Sequence, residues 1–400
     1  MRRTTRLIST LLTCTLAATM VACADSEEGG DSEPWKIGAL YDLSQTYAFI
    51  GKPTLAGLRT AIDATNRAGG VHGRQIELIV RDDRSDPANA RTSFRELVDA
   101  GVVAVSGPNA SATLVPLAPV ITQSQVPDIS LAAVADLHRP GQPYLFATGL
   151  HVADSALIDA NWMADEAAKR GITNPRVAAL SLDTPSVAEF REMLVTAVPE
   201  VTKGELVAND VVAVDATDMN NAMLPIANLN PDFVPVGLLG SQLPGAVRSL
   251  RNRGVNAPVM NYFVASDQAT FEAVDDPEFY AVRHFAEPNE TDVPGLEKMR
   301  QDAEAAGQVA DMTSGYFTHG YVSGLILVEA LRNCGPDCDG PAMNQALEGI
   351  TNLDTNGLSG PIGVSSEDHL FVKYGRMFGW DPATRTVVPK GDWIGGRATS

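Results

Sequence analysis

The sequence predicts an α/β fold built as two doubly wound, Rossmann-like lobes. Three observations carry that expectation. Apolar runs of strand length alternate with segments of helical period, the alternation comes in two successive series, and 400 residues suffice for two domains of ordinary size. The strands read as near-continuous apolar runs, which suits parallel sheets covered by helices on both faces.

Taken in order, "WKIGALYDL" from Trp35 is the first strand. Leu55, Leu58 and Ile62 then recur at helical spacing until Gly69-Gly70 ends the helix. Ile76, Leu78 and Val80 alternate in "RQIELIV" as a strand does. Asp86 caps the next helix with Pro87 in its first turn, Phe94, Leu97 and Val98 give it a core face, and Gly101 ends it. "VVAVS" is a buried strand, a helix runs from about Ser111 to Gln123, and "PDIS" is another strand. The second series has strands at "RVAALSL", "LVANDVVAV", "DFVPVGLLG" and "APVMNYF". Helices over Ser186–Val198, Asp218–Leu229 and Pro244–Arg253 separate them. The late stretch "THGYVSGLILVEALRN" reads as a core helix, since it is short for a membrane span and carries Glu329. In such sheets ligands bind beyond the carboxyl ends of the strands, near helix N-termini.

The N-terminal region reads differently. Arg2, Arg3 and Arg6 form a positive head, and a mostly apolar stretch from Leu7 to Ala22 is diluted by Ser9, Thr10, Thr13, Thr15 and Thr19. That is a secretory signal, because a span needs roughly 20 predominantly apolar residues. Ala22 before Cys23, with Met20 and Val21 upstream, resembles a bacterial lipoprotein signal. Residues 1–22 would then be removed and Cys23 acylated, with the acidic, Gly/Ser-containing 23–34 as a flexible tether. The expected location is extracytoplasmic, lipid-anchored to the cell membrane. Thirty basic against 49 acidic residues leave a net charge of −19, and losing the three head arginines deepens it. Such a chain is repelled by phosphate backbones and anionic lipid, so nucleic acid is not expected as a partner. Cys14 leaves with the signal. Cys334 and Cys338 remain in "CGPDCDG", outside the reducing cytoplasm, and are expected to form a small-loop disulfide. A metal knuckle would need two further ligands nearby, and the sequence offers none.

The signatures of catalysis are missing. "GKPT" at Gly51–Thr54 suggests a phosphate loop, but Thr46 stands where its first glycine belongs and Pro53 takes the hydroxyl position. The six histidines show no H-x-x-x-H or H-E-x-x-H spacing, and no G-x-S-x-G elbow appears. In "RDDRSDP", Asp82 and Asp83 end a strand while Asp86 caps a helix, a simpler account than an acid–base pair. Neither an enzyme nor a bound metal or cofactor is expected.

"AGGVHGRQIELIVRDDRSDPANA", with "YDLSQTYAFIG" before it and "VAVSGPNASATLVPLAPVITQSQVPDIS" after it, resembles the type I extracytoplasmic solute-binding proteins. Within them it is most similar to the leucine/isoleucine/valine-binding branch of ABC importers. "PYLFATG", "GYFTHGYVSGLILVEAL" and "FVKYGRMFGWDP" extend the likeness from Trp35 to the C-terminal region. The resemblance implies a type I periplasmic-binding-protein fold: a clamshell of two lobes, joined by three hinge crossings near Thr148, Ala286 and His369, that closes on a small molecule. It divides the chain into an N-terminal lobe, 35–148 plus 287–368, and a C-terminal lobe, 149–286 plus 369–400. It further implies a monomer that delivers its ligand to the permease of an ABC importer. The same fold also serves extracytoplasmic sensors, and a cell-envelope hydrolase is a more distant alternative.

Residue by residue, the family's carboxylate-binding serine falls on Ser111, at the start of a helix whose free N–H groups already favour an anion. Ser111 capping its own helix is the plainer alternative. The backbone segment beside it falls on Ala133, Val134 and Ala135. Ser44, Gln45 and Phe49 would line the rim, and Asp183, the Ser241-Gln242 turn and the Ser266-Asp267 turn would face the cleft from the second lobe. Three departures stand out: Val134 and Ala135 replace a threonine, Val187 replaces an aromatic residue, and Gln45 replaces a glycine. Asp267 could pair an ammonium, but the carboxylate side is thin for a zwitterion, whose buried charges both need partners. The ligand classes that fit are a branched-chain amino acid, an amide, a carboxylate or a related hydrophobic compound.

Overall fold

The computed structural model describes residues 33–312 and 314–396, so Cys23 and the N-terminal signal lie outside the described residues. The first strand, β1 (Trp35–Tyr41), is buried at every position but Lys36, with no alternation. Such a strand needs cover on both faces. It is followed by α1 (Ala48–Arg67), β2 (Ile76–Asp82), α2 (Pro87–Asp99), β3 (Ala104–Ser106), α3 (Ser111–Ser124), β4 (Asp128–Ser130), the short α4 (Ala135–His138) and β5 (Leu145–Ala147). The strands form one parallel sheet in the order β2-β1-β3-β4-β5. Asp86 caps α2 by accepting the Asn89 N–H, with Pro87 in the first turn.

Two apolar clusters lie against this sheet. Leu40, Phe94, Leu97, Leu114 and Ile121 join it to α2 and α3. Ile37, Leu58, Phe317, Val322 and Ile326 join it to α1 and to α11 (Gly315–Cys334), which returns from far along the chain. The helices α1 and α11 approach backbone to backbone. A Cβ on Gly57 would stand 2.0 Å from the Phe317 carbonyl oxygen, and one on Gly320 1.8 Å from that of Thr54. Only glycine permits that contact. The helix read from the sequence as core is therefore the spine of the first layer. Among the described residues no helix is long and apolar enough to cross a membrane.

The second block holds α5 (Val152–Arg170), β6 (Arg176–Leu182), α6 (Pro185–Ala197), β7 (Glu205–Val212), α7 (Met219–Asn228), β8 (Val234–Gly237), α8 (Leu243–Arg251), β9 (Val259–Asn261), α9 (Gln268–Val274) and β10 (Phe279–Arg283). The chain then passes through α10 (Pro294–Ala306), α11 and α12 (Gly340–Glu348) of the first block and comes back as β11 (Tyr374–Asp381), β12 (Thr386–Pro389) and β13 (Ile394–Gly395). The second sheet runs β12-β11-β10-β9-β8-β6-β7, with β13 beside β11. It is parallel as far as β10, while β11 and β12 add an antiparallel edge. Its core gathers Val177, Phe190, Phe233, Val259 and Phe279 in one cluster.

The chain thus passes between the two sheets three times: after β5, after β10 and before β11. These passages are tied together. The Ala147 N–H donates to the His369 carbonyl and the Phe371 N–H to the Ala147 carbonyl, and Thr148 Oγ1 lies 2.6 Å from His319 Nε2 on α11. Cys334 and Cys338 form a disulfide at the end of α11. Two parallel-stranded sheets with helical cover and three passages between them are the arrangement that the resemblance implied.

Candidate functional site

The carboxyl ends of β9 and β10 and the start of α11 converge on a cavity between the sheets. The loop after β9 contributes Phe263, Ser266 and Asp267, the end of β10 and the passage beyond it contribute Arg283, His284, Phe285 and Glu287, and α11 contributes Tyr316 behind Ser314 and Gly315. Its open core is about 30 Å³, room for about two water-sized groups. Asp267 caps α9, accepting the N–H and hydroxyl of Thr270 at 3.0 and 3.1 Å. Ser266 Oγ donates to the Phe263 carbonyl at 2.8 Å.

The charge in this cavity is paired across elements. Arg283 is only 4% exposed and forms an ion pair with Glu287, itself 6% exposed. The guanidinium also lies 5.6 Å from the Phe271 ring and 5.2 Å from that of Phe378. Opposite Arg283 across the β10–β11 ladder stands Arg376, which pairs with Glu290. Glu290 in turn accepts the Glu287 N–H at 2.7 Å. Two arginines of the second sheet therefore hold two glutamates of the passage leading away from it. Glu287 also lies against the N-terminus of α11, where a Cβ on Gly315 would come within 2.5 Å of its Oε1. A carboxylate there complements the helix dipole.

Burial dominates the protonation of this region. It pushes the Glu287 carboxyl up, an effect the Arg283 charge opposes and Glu290 reinforces. It pulls His284 down to about 3 and holds His319 well below the usual imidazole range, with His284 adding to the latter. Both rings stay neutral at physiological pH. Burial, then the nearby Asp267, keeps the Tyr316 hydroxyl protonated. Among the described residues, Arg283 Nε and Nη2 and His284 Nε2 have no hydrogen-bond partner.

The periplasmic binding protein family model matches residues 34–385. The chain belongs to the periplasmic binding protein family. Leu/Ile/Val-binding protein homolog 8 of Brucella abortus (strain 2308) is 34% identical over 115 residues, 28% of this chain and 28% of that protein. The alignment therefore spans little more than a quarter of the relative's own length. Among solved structures, a branched chain amino acid ABC transporter from Thermus thermophilus with bound valine gives a TM-score of 0.74 at 18% identity, covering 92% of this chain and 97% of that one. A fatty acid ABC transporter substrate-binding protein from Thermomonospora curvata gives 0.73 at 19% identity, covering 91% and 92%. At these identities the likeness shows the fold.

In this periplasmic binding protein only Ser266 and Asp267, of the residues singled out from sequence, line the cavity. Phe49 stands at its edge: 60% exposed, its ring meets that of Tyr316 edge-on at 6.3 Å. Ser44 and Gln45 belong to a loop gathered around Asp42, which accepts the N–H groups of Ser44, Gln45 and Tyr47 and the Ser85 hydroxyl. The Ser44 hydroxyl donates to Asp82 at 2.7 Å. Ser111 is exposed at the first turn of α3; Ala110 precedes it as the cap residue, so Ser111 does not cap the helix. Asn109 and Thr113 beside it are buried with side-chain polar atoms unpartnered among the described residues. Ala133 and Val134 are half-buried, and the Val134 N–H faces His138 Nδ1 at 3.1 Å. Asp183 is exposed beyond the end of β6. Gln242 is buried, its amide donating toward the carbonyls of Ala213, Val214 and Ala216 and accepting the Leu239 N–H.

The sequence reading passed over Arg283, His284, Glu287 and Tyr316. One signal was available: an arginine inside the apolar run "FYAVRHFAEP" is costly to bury without a partner, and so marks a site. Among the described residues no group of three or more His, Cys, Asp or Glu is placed to hold a metal ion.

Proposed function

We propose that this chain is the solute-binding component of an ABC importer: an extracytoplasmic protein that captures a small organic molecule between two lobes by hinge closure and performs no chemical step. The lobes are residues 35–148 with 287–368 and residues 149–286 with 369–400, and the ligand meets Phe49, Ser111, Ser266 and Asp267 as well as the arginine-lined cavity. The observation that carries this reading is that cavity. It is formed by elements of both blocks beside a passage between them, and two of its lining residues, Arg283 and His284, carry buried nitrogens without a partner among the described residues. Acylation at Cys23 would keep the protein, as a monomer, close to its permease and raise its effective concentration there.

A thermal-shift screen over amino acids, amides, carboxylates and sugars tests the reading, because a ligand raises apparent stability by mass action. A hit should also reduce the radius of gyration in solution scattering as the lobes close. A chain that no solute stabilises, or a hit consumed to a product, would overturn the proposal. For the anchor, Cys23→Ser should move the protein from the membrane fraction to the soluble one; a variant that stays membrane-bound rules out acylation there.

A further inference from the structure

The hydrogen-bonding inventory of the cavity is lopsided. Each of its carboxylates already has a partner: Asp267 accepts the N–H and hydroxyl of Thr270, and Glu287 pairs with Arg283. Its unengaged groups are chiefly donors. Glu287 faces Nη1 of Arg283, leaving Nε and Nη2, the edge of the guanidinium fork that presents two parallel N–H bonds. Arg283 is more than nine-tenths buried and lines the cavity, so these bonds have no recourse to solvent. Tyr316 lines the same cavity, and its hydroxyl feels the charges of Asp267, Arg283 and Glu287 in that order. Around them the walls are aromatic: Phe263, Phe285 and the Tyr316 ring, with Phe49 outside.

We propose that Arg283 is the specificity-determining residue of the cleft, and that the ligand is a carboxylic acid with an apolar or aromatic body and no α-ammonium group. The carboxylate takes the Nε–Nη2 edge of Arg283 with help from Tyr316, and the body packs on the aromatic walls. A bidentate charge-assisted pair of this kind is strong and geometrically selective. An ammonium beside it would have to share the carboxylates that already hold Thr270 and Arg283, so it gains less than the carboxylate does. The open core accommodates only a head group as it stands, so the body requires the lobes to part on entry. This rests on the solute-binding reading and narrows it.

The test is titration calorimetry with matched probes on the full chain. These are 3-phenylpropanoate against phenylalanine, and 4-methylpentanoate against leucine and 4-methylpentanamide. Each acid should bind at least about tenfold tighter than its amino or amide counterpart, as a charge-assisted bidentate pair predicts. Arg283→Lys should weaken the better acid by about tenfold or more, because an ammonium cannot reproduce the fork. Tyr316→Phe, which leaves the Arg283–Glu287 pair alone, should weaken it by about threefold. Amino acids binding tighter than the acids would overturn this inference while leaving the solute-binding reading intact. So would acid binding that neither variant alters. No binding of any acid would also overturn it, and the broader solute screen would then decide the parent reading separately.

Discussion

Two segments that follow strands, one after β1 and one after β10, are each organised by acidic residues, and they do it in opposite ways. In the loop after β1, Asp42 is surrounded by neutral dipoles: three backbone N–H groups and the Ser85 hydroxyl. Burial pushes its carboxyl up, but those hydrogen bonds outweigh it and hold the group below the usual carboxylate range. In the passage after β10, Glu287 answers a full charge, Arg283, and burial raises its carboxyl despite that partner. The first loop therefore closes on its own acids, its dipoles shared between Asp42 and, through the Leu43 N–H and Ser44 hydroxyl, Asp82. The second is held by ion pairs and leaves part of each guanidinium unused. A region that closes its own hydrogen bonds builds a wall, and one that leaves buried donors open builds a receptor.

The hardest way to break this contrast is Arg283→Met. It would strand Glu287 as an uncompensated buried acid and should cost about 3–5 kcal/mol in urea denaturation at pH 7. The double variant Arg283→Met/Glu287→Leu should recover most of that loss, because replacing both members of a buried pair removes the unpaired charge. A single variant as stable as wild type would show that the pair does not organise the passage.

A smaller effect is expected at His284, which is buried among Phe263, Phe285 and His319. Its folded pKa is depressed to about 3 by burial. An unfolded histidine protonates near pH ~6.5, so protons favour the unfolded chain. The stability owed to the neutral ring is complete above that pH and is lost progressively as pH falls toward 3. Relative to His284→Phe, the wild type should lose about 3 kcal/mol between pH 7 and pH 4. Parallel stability curves for the two proteins would contradict the assignment.

How much of this was legible beforehand follows from what each feature depends on. The alternation of strands and helices is local, and the helix starts at Pro87 and Ser111 could be read from their own neighbours. The β11–β12 edge could not, because β11 pairs with β10, residue Tyr280 with Gly379 and Arg283 with Arg376, and its antiparallel sense depends on where the chain re-enters the sheet. The cavity depends on still longer range. Arg283, Glu287 and Tyr316 come from three elements, and which N–H groups remain unpartnered is settled only after the neighbours are in place. Gln242 shows the same limit from the other side: a polar side chain in a loop beyond a strand reads as a ligand contact, yet its amide is engaged with loop carbonyls.

On the side of the first loop, Asp42→Asn should cost about 2 kcal/mol at pH 7, since a charge-assisted hub becomes a neutral one. Because the folded carboxyl is held below its ordinary value, its contribution is present above about pH 4 and disappears as pH falls through the folded pKa. The penalty of the variant should therefore shrink in acid, the same direction as at His284, where the wild type also loses ground to its variant as pH falls. Urea midpoints at pH 7 and pH 3 check it, and a penalty that grows in acid would overturn the account of the loop.

The smallest expected effect settles which wall carries the ligand's charge. Ser111 is exposed and caps nothing, so Ser111→Ala should leave stability within about 0.5 kcal/mol of wild type. If its hydroxyl touches a neutral part of the ligand, affinity should fall by about threefold, the worth of one ordinary hydrogen bond. Arg283→Lys should cost several times more for the same acid. A larger loss at Ser111 than at Arg283 would move the acid group to the start of α3, where Asn109 and Thr113 hold unpartnered buried atoms beside the free N–H groups of the helix. The two substitutions measured against one ligand thus turn the contrast between the walls into a ratio of affinities, and the sign of its logarithm names the wall that binds the carboxylate.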